Sequence, residues 1–492
     1  MNKIYTTVWC ESRQQWVVTS ELASGSGRPK LAPKKSALAL LLGAMLLPSA
    51  PVTAVDYVDV TLTGEQTISS GDTATSTTIN GGSQYIYNGG SATETVINDG
   101  GMQDVYVGGL ATETTINNGG DQYILGGTAT DTSINSGGKQ EVINGGTTTA
   151  TTISGGSQNV YNRGTATDTT INGGSQSVFS GGSATATIIN SGGWQNVSSG
   201  GIVTDITLHS TGIQVVFDGG TATDTIINSR GIQSIFGGTA TDTTINSGGW
   251  QDVYSGGAAT VTTINNGALQ QVRSGGTTID TTINGGQSWL MTGALADGET
   301  QINAGGELLM DAGSVATDVH ITGGTLSVTD LTSTTASYTP AQVDKLTMNG
   351  GNVNFLRNSD GEFAKLTITE LNGTGNFLFN TSLADRKANF VTIEQGSGQF
   401  GIAVNDSGKE ISDHTDLTVN LIHEKGGDID FEMVTANGRS TNMVDGGTYM
   451  YTLFSEQNKD GLNGGNVWYL GAMTEEPGGG ENPGGGENPG GG

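Results

Sequence analysis

One copy of a short repeat reads TATDTTINSGGWQDVYSGG and occupies residues 239–257. Residues 241–245 alternate, and the expectation is that Thr241, Thr243 and Ile245 lie on one side of a strand while Asp242 and Thr244 lie on the other. The Gly and Asn residues that follow are typical of a turn. A second short strand, Gln251–Tyr254, and another Gly-Gly turn complete the unit, which has no helical periodicity.

The repeat recurs every 18 or 19 residues through more than half of the chain, and an aliphatic residue marks each copy. Each unit is too small to bury a core alone, so consecutive units must stack. The sequence therefore predicts an all-β fold, a right-handed parallel β-helix with coils of about 19 residues. The marker residues are Ile79, Ile97, Ile116, Ile134, Ile153, Ile171, Ile189, Leu208, Ile227, Ile245, Ile264, Ile283, Ile302 and Ile321.

Stacking in register places equivalent residues in columns, and two columns are chemically uniform. The position after the marker is Asn in eleven of fourteen coils, which predicts a structural ladder of amide hydrogen bonds. These residues are Asn80, Asn98, Asn117, Asn135, Asn172, Asn190, Asn228, Asn246, Asn265, Asn284 and Asn303. Ser154, His209 and Thr322 interrupt the column.

The position three residues before the marker is acidic in ten of fourteen coils and is expected to face outward. Stacked like charges repel, so one interpretation is a solvated face that discourages unwanted strand pairing. The alternative is a stripe that binds cations or a partner. The candidate stripe contains Glu94, Glu113, Asp131, Asp168, Asp205, Asp224, Asp242, Asp280, Glu299 and Asp318.

Residues 1–54 are predicted to be an extended signal peptide. The apolar run at 36–47 is too short to span a bilayer, basic residues precede it, and small residues favour cleavage after Ala54. A membrane anchor is the alternative. The first thirty residues, through Val8-Trp9 and Trp16-Val17-Val18, resemble the extended signal peptide region of Gram-negative autotransporters. The resemblance implies export by the Sec machinery and then passage across the outer membrane.

Charge and cysteine content argue against several kinds of partner and against thiol chemistry. The net charge is −28, and loss of residues 1–54 would make it about −32, which disfavours nucleic acid and anionic membranes as partners. The single cysteine, Cys10, lies in the predicted signal peptide, so the exported part would contain no thiol or disulfide.

The repeat β-helix is predicted to span residues 55–325. Over residues 72–325 its repeats resemble those of AIDA-type self-associating autotransporter adhesins, most clearly at Ala240–Gln251. The resemblance implies a β-helical passenger that promotes aggregation of cells, biofilm formation and attachment to surfaces. It also implies that repeat Ser and Thr residues are possible sites of O-glycosylation.

The last third of the chain differs from the repeats. Residues 326–473 have longer strand patterns, and Leu366–Leu470 resembles the pertactin-like end of autotransporter passengers, which implies an autochaperone that caps the helix. The aromatic residues expected to form its apolar seed are Phe431, Tyr449, Tyr451, Phe454, Trp468 and Tyr469. Residues 474–492 read as a flexible linker, and the outer-membrane barrel that follows it in the family is expected to be absent here.

The sequence contains no complete motif for catalysis or metal binding. Asp406-Ser407-Gly408 resembles part of a serine-protease motif but lacks the preceding Gly, and the repeats lack the Asp of calcium-binding nonapeptides. No catalytic residue, metal site or cofactor is therefore predicted. The aromatic residues beside the second strand could stack on sugars or simply cover the edge of the coil. They are Trp194, Trp250, Tyr85, Tyr106, Tyr123 and Tyr254.

The sequence thus predicts a non-enzymatic adhesin passenger at the cell surface or outer membrane, or in the periplasm if no barrel is supplied. Its expected partners are like passengers on neighbouring cells, and host surface proteins or glycans. A truncated remnant without adhesive activity is the first alternative, and a polysaccharide-degrading β-helix is a more distant one.

Overall fold

The computed structural model describes residues 53–329, 339–356 and 363–473, together with the backbone of two short strands near the N-terminus. Contacts divide the chain into two units, Met1–Thr53 and Ala54–Gly492. In the first unit, Thr6–Cys10 and Gln15–Thr19 pair antiparallel. Most of the predicted signal peptide and the predicted linker at 474–492 lie outside the described residues.

Each coil of the repeat region contributes three strand segments, which we call arms A, B and C in chain order. In the first coils, arms A and B are separate strands. Arm A comprises Asp56–Val58, Thr73–Thr75, Ser91–Thr93, Leu110–Thr112, Thr128–Thr130, Thr147–Thr149 and Thr165–Thr167. Arm B comprises Thr61–Leu62, Thr78–Ile79, Val96–Ile97, Thr115–Ile116, Ser133–Asn135, Thr152–Ser154 and Thr170–Ile171.

In the later coils, arms A and B form one longer strand. These strands are Ser183–Ile189, Ile202–Leu208, Thr221–Ile227, Thr239–Ile245, Ala258–Asn265, Thr277–Asn284, Leu295–Asn303 and Val315–Thr322. Arm C comprises Glu65–Ile68, Ser83–Ile86, Met102–Tyr106, Asp121–Leu125, Lys139–Ile143, Ser157–Val160, Ser175–Val178, Trp194–Val197, Ile213–Phe217, Ile232–Phe236, Trp250–Val253, Leu269–Val272, Gln287–Leu290, Glu307–Asp311 and Thr325–Thr329.

Every arm pairs in parallel with the same arm of the neighbouring coils. Ile245, for example, lies opposite Ile227 of the preceding coil and Ile264 of the next. All fourteen marker residues are at most 1% exposed, so the marker column forms a continuous apolar line through the core. The predicted parallel β-solenoid is confirmed.

The predicted alternation within the first strand is wrong at Thr241. The buried residues are Ala240, Thr243 and Ile245, whereas Thr241 is half-exposed. The reason is Asp242, whose φ of 54° places it in the left-handed region and bends the chain between arms A and B. The bend consumes one residue, so the inward-facing positions lie three residues apart across it instead of two.

The C-terminal part continues the parallel stacking with longer strands and then closes it with antiparallel pairs. Its strands are Ala341–Phe355, Lys365–Ser382, Lys387–Ala388, Phe390–Asp406, Thr418–Glu424, Asp428–Met433, Val444–Asp445, Met450–Gln457 and Asn466–Ala472. Short 3₁₀ turns occupy Leu383–Asp385 and Lys459–Gly461. Asn466–Ala472 pairs antiparallel with both Thr418–Glu424 and Met450–Gln457.

The aromatic core of the C-terminal part only partly matches the prediction. Phe431 and Tyr451 are buried as expected, but Phe454 is 43% exposed and stacks on Tyr469 at the surface. The core instead gathers rings from successive parallel strands around Phe377, which lies 6.3 Å or less from each of three other rings. Those three are Phe379, Phe400 and Phe431. Phe occupies inward positions of these longer strands, whereas the repeat coils have Ala, Thr and Ile there.

Candidate interaction surfaces

The predicted acidic stripe lies along the bend between arms A and B, and we call it the acidic corner. Nine of its ten carboxylate residues are exposed, and Asp318 is half-buried. Eight of them have a φ between 52° and 57°, which Asp tolerates better than most residues. The backbone stays in register through the bend, since the amide of Asp131 donates to the carbonyl of Thr149 at 3.0 Å. The acidic residues therefore occupy a position where backbone geometry itself favours Asp.

The carboxylates of the acidic corner make few contacts with other residues. Ser76 donates to Glu94 at 2.8 Å, and the amide of Glu299 donates to Asp280 at 3.0 Å. Glu94, Glu113 and Asp131 line a shallow groove of about 340 Å³. Asp318 is 2.9 Å from His320 and 3.5 Å from Lys345. Across the described residues, three or more potential metal-ligating side chains never come close enough together to hold an ion.

The predicted Asn column lies at the turn after arm B, and its amides bond along the axis. In each bonded pair, Nδ2 of one Asn donates to Oδ1 of the Asn in the preceding coil at 2.6–2.9 Å. Where His209 replaces Asn, its Nδ1 lies 3.4 Å from Nδ2 of Asn228. The side chains are half-exposed or exposed, so water competes for these hydrogen bonds.

A second amide column, which sequence reasoning missed, lies inside the core on arm C. Twelve Gln residues from Gln66 to Gln270 form an unbroken chain in which each Nε2 donates to Oε1 of the preceding coil at 2.6–2.8 Å. All of them are buried. The members are Gln66, Gln84, Gln103, Gln122, Gln140, Gln158, Gln176, Gln195, Gln214, Gln233, Gln251 and Gln270.

The sequence does show the Gln column, because Gln recurs at the same position of arm C in twelve successive coils. Whether these Gln residues lie inside or outside depends on which side of arm C faces the core. Polarity alone predicts the outward side. The column can lie inside because each amide finds its donor and acceptor in the coils above and below. At its C-terminal end, Ser288 donates to Oε1 of Gln270 at 2.8 Å, and Leu308 takes the next position.

The outward side of arm C carries the aromatic residues. We call this surface the arm C face, meaning the three outward positions per coil that are exemplified by Trp250, Asp252 and Tyr254. Of the aromatic residues singled out from the sequence, Trp194 and Trp250 begin their strands and are 45% and 38% exposed. Tyr85 and Tyr123 occupy the middle position, and Tyr106 and Tyr254 the last. All six therefore share one face.

Rings in the last position stack along the axis. Tyr87 and Tyr106 have centroids 4.7 Å apart and are nearly parallel, and Phe236 and Tyr254 have centroids 4.0 Å apart. Phe217 stacks on Phe236 at 6.2 Å, while the guanidinium of Arg273 lies 4.8 Å from the ring centre of Tyr254. These stacked rings cover each other's faces, whereas Tyr161 and Phe179 in the same column meet edge to face at 6.2 Å.

Two family models match parts of this chain outside the repeats. A model of the extended signal peptide of the type V secretion system matches residues 1–50, and a pertactin model matches residues 343–472. The crystal structure of a TibC-catalysed hyper-glycosylated fragment of TibA, residues 55–350, is 42% identical, with a TM-score of 0.50. The match covers 58% of this chain and 99% of that fragment. This chain belongs to the autotransporter passengers of type V secretion, of the AIDA and TibA type.

Two curated relatives of the passenger are themselves autotransporters. Autotransporter CRAC of Citrobacter rodentium is 54% identical over 92 residues, which are 18% of this chain and 6% of the relative. The autotransporter adhesin/invasin TibA of Escherichia coli O78:H11 is 46% identical over 92 residues, 18% of this chain and 9% of the relative. The passenger thus spans less than a tenth of either relative. The signal peptide match and these relatives make it an exported protein.

Charged groups are sparse on the arm C face of the passenger, and the buried ones have distinct environments. Burial raises the pKa of the Asp104 carboxyl, and the hydrogen bond from Tyr106 at 3.1 Å partly offsets the effect. Burial and the charge of Asp104 together raise the pKa of Tyr106 to about 12. Asp252 occupies the equivalent position in a later coil and has a cationic partner, Arg273, at 3.2 Å.

The motif that resembled a protease serves the passenger as a turn. The carboxylate of Asp406 accepts hydrogen bonds from Oγ1 of Thr381 at 2.8 Å and from the amides of Leu383 and Gly408 at 2.9 and 2.8 Å. These bonds fix the end of a long strand against the 3₁₀ turn beside it. Among the helices in the described part of the passenger, none combines the length and apolarity needed to cross a membrane.

Proposed function

We propose that the passenger is a non-enzymatic adhesin that joins cells to one another and to surfaces through the sides of its β-helix. The observation that carries the proposal is the match along 99% of the TibA fragment, since TibA is named an adhesin/invasin. The repeated surface supports it, because every coil presents the same few groups again. Weak contacts repeated along many coils, and across many copies on a cell, add up through multivalency.

The proposed site of action is the cell surface, with the passenger held there by an outer-membrane barrel. The proposed partners are like passengers on neighbouring cells, and host surface proteins or glycans. The acidity of the chain, with a net charge of −28, argues against nucleic acid as a partner.

Cell display tests the proposal. The passenger is fused to an outer-membrane barrel in a strain that does not clump, and settling of the culture is followed by turbidity. We expect displaying cells to settle several-fold faster than cells that display the barrel alone. Dispersed cells that carry surface-accessible passenger, as detected by an antibody, would reject the adhesin function.

We further propose that the passenger accepts sugars on Ser residues of its turns. The related TibA fragment is hyper-glycosylated, and turn residues such as Ser191, Ser199 and Ser247 are exposed here. Co-expression with a glycosyltransferase of the TibC kind should add whole sugar masses to the intact protein. An unchanged intact mass would contradict this proposal and leave the adhesin function standing.

A further inference from the structure

A pocket of about 390 Å³ lies in the C-terminal part of the passenger, outside the repeat coils. Lys365, which begins a long strand, and Lys387, on the short strand Lys387–Ala388, both line it. Its other walls come from the start of the strand Thr418–Glu424 and from the 3₁₀ turn Lys459–Gly461. The volume falls within the range of small-molecule sites, about 300–1,000 Å³.

The two lysines of this pocket differ from the other lysines of the described chain. Lys365 and Lys387 form no ion pair with any described residue. Residues 363–473 nevertheless contain fourteen acidic and seven basic side chains, so carboxylates are abundant around them. The pocket thus holds positive charge that the described residues leave unpaired. The lysines that do have a nitrogen within 3.5 Å of a carboxylate oxygen are Lys139, Lys345, Lys409, Lys425 and Lys459.

The carboxylates that line the pocket have other partners. Asp416 lies 3.5 Å from Arg386. Asp460 lies 3.1 Å from Lys459 and accepts a hydrogen bond from Nδ2 of Asn420 at 2.9 Å. The hydrogen bond from Asn420 lowers the pKa of the Asp460 carboxyl, which favours its charged form. The pocket therefore contains two unpaired ammonium groups beside two carboxylates that can still accept further hydrogen bonds.

Asn389 fixes the two segments that carry the lysines against each other. It is 1% exposed, and its Nδ2 donates to the carbonyl of Ala364 at 3.2 Å, one residue before Lys365. Its Oδ1 accepts a hydrogen bond from the amide of Asn380 at 2.8 Å. Asn389 follows Lys387 by two residues, so these bonds hold the backbone beneath both ammonium groups. Binding in such a preformed pocket does not require the backbone to become ordered.

The mixture of charges in the pocket determines which ligands fit. Two unpaired ammonium groups attract an anionic group. The carboxylates of Asp416 and Asp460 repel a bare anion, but they accept hydrogen bonds from hydroxyl groups. Phe363 and Val419 also line the pocket and offer apolar surface against which a ring can pack. An acidic sugar, which has one carboxylate or phosphate group and several hydroxyls, meets all three conditions.

We propose that this pocket, which we call the lysine pocket, binds acidic sugars. The anionic group of the sugar lies between Lys365 and Lys387, and its hydroxyls donate to Asp416 and Asp460. This inference rests on the proposed adhesin function, and it names a site and a ligand class through which the passenger attaches to glycans. Each copy has one lysine pocket, so attachment of a cell depends on many displayed copies that bind together.

Isothermal titration calorimetry of the purified exported chain tests the ligand class. The probes are N-acetylneuraminic acid, which has a carboxylate, glucose 6-phosphate, neutral glucose and inorganic phosphate. We expect at least one acidic sugar to bind about tenfold or more tightly than glucose and inorganic phosphate do. Preference for the first or the second probe identifies a carboxylate or a phosphate as the anionic group. Failure of both acidic sugars to bind, or equally tight binding of inorganic phosphate, would overturn the proposal.

Matched double variants test the site. Lys365→Gln with Lys387→Gln should weaken binding of the acidic sugar about tenfold or more, and Lys345→Gln with Lys425→Gln should change it less than about twofold. Both variants remove two positive charges, but the control lysines lie outside the pocket and have side chains 44% and 38% exposed. Urea unfolding followed by circular dichroism checks that both variants are folded. Equal binding by the two variants would overturn the assignment.

Display on cells separates this inference from the proposed function. Cells that display the passenger are scored for settling and for attachment to beads coated with the acidic sugar or with glucose. If the unchanged passenger neither clumps cells nor attaches them to beads, the adhesin function fails, whatever the purified chain binds. If the cells clump, and the variant without Lys365 and Lys387 attaches to acidic beads as well as the unchanged passenger does, only the lysine pocket assignment fails.

Discussion

At the scale of single residues, two structural requirements determine which residue fits best at the acidic corner. Its backbone needs a left-handed φ, and its side chain is exposed. Asp meets both demands at small cost, whereas a β-branched residue is strained in that region. The preference for Asp at this column therefore has a conformational cause in addition to any role in contacts.

Val261 is the residue that fits this corner least well. Its φ is 52°, and its side chain is 45% exposed, so replacement loses little buried surface. We expect Val261→Asn to raise the free energy of unfolding by about 1 kcal/mol, because Asn tolerates the left-handed region. Urea unfolding followed by circular dichroism measures the change. Thr263→Asn, two residues further along the strand, is the control and should not stabilise; equal gains from both would refute the explanation.

Asp104 and Asp252 occupy equivalent positions, but their replacement by Asn should change the free energy of unfolding in opposite directions. Asp104 and Asp252 are both buried beside a Tyr, but only Asp252 has Arg273 near it. Because burial raises the pKa of Asp104 above its unfolded value, its ionisation costs stability as pH rises through the folded-state pKa. Asp104→Asn should therefore stabilise at pH 7, with a gain that vanishes at a pH low enough to protonate the carboxyl in both states.

The contrast with Asp252→Asn provides the control for that prediction. Removing this carboxylate leaves Arg273 without its ionic partner at 3.2 Å, so the variant should be destabilised at pH 7. Asn159 and Asn196 occupy the same column, which shows that Asn fits there. Unfolding curves between pH 3 and pH 7 distinguish the cases. A gain for Asp104→Asn that does not depend on pH would rule out ionisation as its cause.

At the scale of the element, the coil could be predicted in part. The marker Ile column and the Gly-rich turns follow from periodicity alone, and both are found. The bend at Asp242 cannot be predicted from the pattern, because a residue in the left-handed region leaves no hydropathy signal. Simple alternation therefore predicts the wrong side of the strand for Thr241. The acidic and Asn columns were found because they are uniform, but the inward orientation of the Gln column depends on knowing the bend.

The Gln column makes neighbouring coils depend on one another. Gln176 donates to Gln158 and accepts from Gln195, both at 2.7 Å, and is fully buried. Gln176→Leu should lower the free energy of unfolding by about 1–3 kcal/mol, since it leaves buried amide groups unpaired on both sides. Gln66 begins the column and has one such neighbour, so Gln66→Leu should cost less. Chemical denaturation compares the two variants, and equal costs would argue against coupling along the column.

At the scale of the whole chain, charge and apolar surface are distributed on different sides of the same coils. The acidic corner carries ten carboxylates, and the central arm C face carries none over five coils. With a net charge of −28, like chains repel one another at the acidic corner, whereas the central arm C face contributes no charge to that repulsion. The repeat imposes this separation, because each position of one coil is copied along the axis.

The C-terminal part gives the stack an end that differs from its coils. Antiparallel pairing by Asn466–Ala472 stops the parallel addition of strands, and the ring cluster around Phe377 buries more apolar volume than the Ala, Thr and Ile of a repeat coil. A solenoid whose coils cannot fold alone needs a stable neighbour on which to add. This part is therefore the expected starting point of folding.

Phe377→Ala tests that starting point in the full exported chain. Phe377 is fully buried against three other rings, so the change should cost about 3–5 kcal/mol and slow refolding after dilution from denaturant. Ile124→Val, a buried change in the repeat region, is the control; it should speed unfolding and leave the refolding rate nearly unchanged. Stopped-flow fluorescence gives both rates. Slower refolding of the Ile124 variant with normal refolding of the Phe377 variant would place the nucleus in the repeats, because a residue slows folding only where its contacts form before the rate-limiting step.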